Sequence, residues 1–132
     1  MAKLSIRTLL PAIAAVASFV AAPALAEDLK LSNKWRVEVS EGAKSDGTIL
    51  FRVTTKDGQP VDVPVAIKDG TSENHVARTI RDAFRATLDK EEFHSETDDG
   101  EDVLLKKRKG PNFELKLVES TVKATRINVE KE

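Results

Sequence analysis

Apolar positions recur along this chain with two different periods, and the change of period marks the elements. Between Thr71 and Leu88 the spacing is helical: at about 100° per residue Val76, Ala77, Ile80, Ala83, Phe84, Thr87 and Leu88 fall within one arc. That predicts an amphipathic helix with the arc buried. Thr71 or Ser72 is a natural N-cap, because a hydroxyl there can accept from an otherwise unpaired first-turn N–H, and Glu73 sits favourably at the positive end of the helix dipole. Arg78, Arg81 and Arg85 form a stripe on the opposite side, with Asp82 and Asp89 each four residues beyond an arginine.

Elsewhere the period is two, the signature of half-buried strands. Trp35, Val37 and Val39 alternate with charged residues; Ile49, Phe51 and Val53 repeat the pattern, as do Val61, Val63, Val65 and Ile67. Pro64 cannot donate to a ladder and places that third strand at an edge or a bulge. Lys56-Asp57-Gly58-Gln59 predicts a tight hairpin with positive φ angles. After the helix, Phe93 to Thr97 can pair with Val103 to Lys107 through Asp98-Asp99-Gly100, but Leu104 and Leu105 are both apolar and leave the register open. Two further strands run through Phe113, Leu115 and Leu117 and through Thr125, Ile127 and Val129. The expected fold is α+β: a mostly antiparallel sheet, in the order β-β-β-α-β-β-β-β, with one amphipathic helix packed on it. Its expected core includes Phe51, Ile80, Phe84, Leu88, Leu115 and Ile127.

The first 26 residues break both patterns. Lys3 and Arg7 precede an apolar run from Leu9 to Val20, and Ala24-Leu25-Ala26 is an A-x-A site, so residues 1–26 read as a cleaved secretory signal peptide of the bacterial Sec type. The competing reading is an uncleaved anchor over Thr8 to Ala26, against which stand its alanine content, Pro11, Pro23 and the processing site. Cleavage after Ala26 leaves 27–132 as one α+β domain, periplasmic or secreted, whose net charge moves from −1 to −3. The mixed charge excludes the basic bias of nucleic-acid binders and of membrane-surface proteins. With no cysteine, disulfide scaffolds and thiol chemistry are excluded and the core alone must supply stability.

The candidate chemistry is sparse. Glu96, Asp98, Asp99, Glu101 and Asp102 crowd one hairpin tip, and clustered carboxylates suit a hard cation such as Ca²⁺. An EF-hand frame through Gly100 puts Ser95, Thr97, Asp99 and Lys106 at ligand positions and fails, leaving Glu96, Asp98, Asp99 and Asp102 as weak metal candidates. Lys106-Lys107-Arg108-Lys109 lies on a strand end, where alternate residues face opposite ways and pairing with nearby acids is expected. His75 and His94 lack any zinc spacing, Gly42 to Gly47 is followed by Thr48-Ile49 instead of the phosphate-loop Lys-Ser/Thr, and no nucleophile elbow is present. No catalytic set can be assembled, and nothing calls for a cofactor.

Gly70-Thr71-Ser72 leading into Val76-Ala77-x-x-Ile80 with Ala83-Phe84, then a hairpin, then Lys109-Gly110-Pro111-Asn112-Phe113-x-Leu115, resembles a small helix-plus-hairpin module of some phage-tail and secreted surface proteins. The resemblance covers residues 68–118 and implies a structural or adhesive role without catalytic residues. The sequence is thus expected to encode an exported, non-catalytic binding or structural module of the cell envelope. Arg78, Arg81 and Arg85, or a sheet edge near Pro64, would engage a protein or an anionic polymer; either surface could instead serve a homodimer. The alternative is a small envelope hydrolase or hydrolase inhibitor built on His94, Glu96 and Asp98.

Overall fold

The computed structural model describes residues 29–132; the leader expected over residues 1–26 lies outside the described residues. The elements follow the expected order: β1 (Lys34–Ser40), β2 (Gly47–Thr55), β3 (Val61–Ile67), α1 (Glu73–Thr87), β4 (Phe93–Asp98), β5 (Asp102–Lys107), β6 (Phe113–Ser120) and β7 (Arg126–Lys131). The fold is α+β and every strand pairing is antiparallel.

The strands divide between two sheets instead of forming one. A four-stranded sheet has the order β4-β5-β1-β7 and a three-stranded sheet the order β3-β2-β6. Consecutive strands β1 and β2 therefore part company, each becoming an interior strand of its own sheet. Period-two patterning leaves each strand only one apolar face, and two such faces bury each other when the sheets are opposed. Trp35, Val37 and Val39 from β1 thus share a core with Ile49, Phe51 and Val53 from β2. The sheets are stitched where the chain enters β1: Ser32 bridges to Phe113 at the start of β6, and the buried Trp35 indole donates to the Phe113 carbonyl at 2.9 Å. Phe93 on β4 meets the Phe113 ring edge-on, with centroids 5.2 Å apart.

Ser72 caps α1, its hydroxyl accepting from the His75 N–H at 3.3 Å, while the Glu73 carboxylate accepts from the Glu41 backbone N–H at 2.9 Å and ties the helix start to the loop after β1. Val76, Ala77, Ile80, Phe84 and Leu88 are buried, and Phe84 packs on Phe51 at 5.3 Å between centroids. Thr87, expected in the buried arc, is exposed. It is the last residue of the helix and faces an open depression lined also by Thr55, Gly58, Val61 and Glu92. Ile127 is half-buried and packs against the core from its margin, while the other five expected core residues are buried.

Pro64 lies on the edge strand β3, as its missing N–H requires. Positive φ is not found at Asp57-Gly58, because β2 and β3 are joined by the longer segment 56–60. It is found at Asp99 (54°) and Gly100 (80°), which turn β4 into β5. The register of that hairpin pairs Glu96 with Leu104 and Ser95 with Leu105. Leu105 faces the core. Leu104 is buried on the outer face, opposite Arg36 of β1.

Candidate functional site

Along β4 the alternation that sends Phe93 and Ser95 inward sends His94, Glu96 and Asp98 to the outer face of the four-stranded sheet. Arg36 of β1 stands on the same face and gathers three carboxylates: Asp98 at 3.0 Å, Asp102 at 2.7 Å and Glu132 at 2.8 Å. These contacts hold the guanidinium pKa above its ordinary value, and the Arg36 hydrogen bond holds the Glu132 carboxyl below its own. Two of the four carboxylates weighed as metal ligands, Asp98 and Asp102, are therefore taken by an arginine. Glu96 accepts instead from His94 Nε2 at 3.0 Å and lies 3.5 Å from Lys106 Nζ; the His94 bond, with Lys106 adding to it, keeps the Glu96 carboxyl below the usual range. Asp99 is exposed at the turn. Among the described residues no three potential ligand side chains are grouped to hold a metal ion.

The arginine stripe of the helix also divides. Arg78 is exposed, and Arg81 pairs with its neighbour Asp82 at 2.9 Å. Arg85 reaches across to β4, where its Nε and Nη2 donate to the Ser95 carbonyl at 3.0 and 2.8 Å. Arg108, just beyond β5, does the equivalent from the other side. Its Nε donates to the carbonyl of Lys90 at 3.0 Å, and its Nη2 lies 3.1 Å from His94 Nδ1. Since arginine has only donors, His94 Nδ1 is the acceptor there and the ring hydrogen is on Nε2, directed at Glu96.

Arg85, Lys90, His94 and Arg108 surround a groove of about 500 Å³ between the end of α1 and β4. Its floor is the margin of the core at Leu88 and Phe93, with Ala86 beside them. Among the described residues Asp82 is the one carboxylate in its lining, and it is already bonded to Arg81. A second depression of about 410 Å³, also touching Leu88 and Phe93, has Asp89 and Glu92 at its rim and no cation. The two hollows beside the same helix end thus carry opposite charge.

Of the three stripe arginines, only Arg85 belongs to the groove; Lys90 and Arg108 were not expected there. Their placement follows from the β4–β5 register, which continues past the strands to set Arg108 opposite Glu92, with the Arg108 N–H donating to the Glu92 carbonyl at 2.7 Å. A fixed register for Leu104 and Leu105 would have revealed it. Of His94, Glu96 and Asp98, the first two touch and the third is held by Arg36. The only hydroxyl adjoining His94 in sequence, Ser95, points to the inner face, where it is buried without a partner and away from the imidazole. No helix among the described residues is long and apolar enough to cross a membrane. Compared with family models, with curated proteins and with solved structures, the chain matches none of them.

Proposed function

We propose that this protein is an exported, non-catalytic binding module that engages an anionic polymer of the cell envelope through the groove between α1 and β4. The observation that carries this reading is the way Arg85 and Arg108 are held. Both guanidiniums are oriented by neutral acceptors, backbone carbonyls and an imidazole, so each is fixed in place with its charge uncancelled and with N–H groups to spare. Lys90 adds a third cation to the same rim. The C-terminal end of a helix contributes about half a negative charge, which three cations outweigh. The export assignment rests on the leader pattern of residues 1–26.

Dextran sulfate is a suitable probe, because its charge does not change between acid and neutral pH. The protein should bind it in a salt-dependent manner, and the Arg85→Gln, Arg108→Gln double variant should bind about tenfold or more weakly, at roughly 1 kcal/mol per lost charge-assisted contact. Equal affinity for the double variant, with its melting temperature unchanged, would overturn the groove as the site. Arg78→Glu tests the competing helix stripe: a larger loss there would move the interface to the exposed face of α1.

A further inference from the structure

His94 is held between a donor and an acceptor, and this has a chemical consequence for the groove. With Arg108 Nη2 3.1 Å from Nδ1 and Glu96 Oε1 3.0 Å from Nε2, the neutral ring uses both nitrogens. A second proton can enter only at Nδ1. It would convert the acceptor into a donor and set two cations 3.1 Å apart. Protonated His94 and its bond to Arg108 therefore exclude each other. The other charged groups around the ring are Glu96 on its own strand, Lys106 as its register partner on β5, Lys90 before β4, and Arg85 and Asp82 on α1 across the groove. Among the described residues Glu96 is the only carboxylate touching the ring, and Lys106 draws on it as well.

We propose that anion binding in the groove is coupled to protonation of His94, so that the site takes up its anion together with a proton from solvent. The proposal rests on the groove being an anion site. An oxyanion between Arg108 and the imidazolium accepts one N–H from each, replacing a repulsive pair by two charge-assisted hydrogen bonds. Without the anion, the uncharged ring accepts from Arg108 and donates to Glu96 at once. Linkage makes the coupling reciprocal: acid strengthens anion binding, and the anion favours the protonated ring. One coupled proton permits up to about tenfold in affinity per pH unit across the imidazole's titration.

The test uses dextran sulfate with the mature chain, residues 27–132, titrated calorimetrically at pH 8, 7 and 6 in buffers of differing ionisation enthalpy. Proton uptake on binding is expected to peak in the pH range where the free ring is uncharged and the bound ring charged and to vanish at lower pH, with affinity rising as pH falls through that range, and the His94 ring resonances should report protonation at a higher pH when the polymer is present. His75→Gln should keep this behaviour, whereas His94→Gln should still bind but with affinity nearly independent of pH. Glu96→Gln, which leaves His94 in place, should move the rise in affinity to lower pH. Binding without proton uptake, or an unchanged pH profile in His94→Gln, overturns the coupling while leaving the anion site standing. Absence of binding at every pH overturns both.

Discussion

Arg36, on the outer face of the four-stranded sheet, and the pair Arg85 and Arg108, at its β4 edge, are all oriented by hydrogen bonds, but their acceptors differ. Arg36 meets Asp98, Asp102 and Glu132, an arrangement in which the cation is more than neutralised. Arg85 and Arg108 meet carbonyl oxygens and an uncharged imidazole nitrogen. Geometry is fixed in both places; charge is cancelled in only one. A carboxylate contact makes an arginine part of the scaffold, whereas a carbonyl contact aims it and leaves its field free for a ligand. The same contrast separates the two hollows at the end of α1, one rimmed by Arg85 and Arg108 and the other by Asp89 and Glu92.

Both arginine sets stand on one core, so the largest effect should come from breaking that core. Phe84 is fully buried against Phe51 and shares a helix turn with Arg85. Phe84→Ala should cost about 3 to 5 kcal/mol in a denaturant melt and weaken polymer binding only as far as it unfolds the groove. The next effect separates the arginines. Arg36→Ala strands three carboxylates beside one another and should cost about 1 to 2 kcal/mol, allowing for solvent screening of partly exposed partners. Dextran sulfate binding should be unaffected. The Arg85→Gln, Arg108→Gln pair should show the reverse, losing binding at a stability cost below about 1 kcal/mol, because Gln can still donate to a carbonyl. A stability loss equal to that of Arg36→Ala would erase the distinction between scaffold and ligand arginines.

The smallest effect concerns acid. Glu96, held down by His94 and Lys106, Asp62, held down by Arg52, and Glu132, held down by Arg36, all titrate below their ordinary values in the folded chain. A depressed carboxyl contributes stability that is complete above its unfolded pKa and is lost as pH falls through the folded one. The melting temperature should therefore decline below about pH 4. In Arg36→Ala that decline should be shallower, since Glu132 no longer favours its charged form; an identical acid limb would show that the Arg36 contacts are not formed in solution.

Element order was legible because each strand and the helix carries its own period. Trp35-Val37-Val39 and Val76-Ile80-Phe84 announce strand and helix without reference to anything distant. The edge position of β3 was legible for the same reason, since Pro64 lacks its N–H wherever it is placed. Thr87 lies on the buried arc by angle yet is exposed, because at the last helical residue the arc opens onto a depression instead of packed side chains. The groove was legible only in Arg85. Lys90 and Arg108 lie 18 residues apart and meet through a hairpin register that Leu104 and Leu105 left open, with one leucine finally buried on each face.

Among the described residues, local patterning by itself therefore determined seven strands, one capped helix, their order and most of the core, because burial of an alternating or helical apolar face depends on neighbours a few residues away. Tertiary structure alone decided that β1 and β2 belong to different sheets, that Asp98 and Asp102 neutralise Arg36, and that Arg85 and Arg108 rest on carbonyls. Those outcomes depend on which strands pair, and pairing is a competition among many apolar faces of similar worth, settled only when the whole core is filled at once.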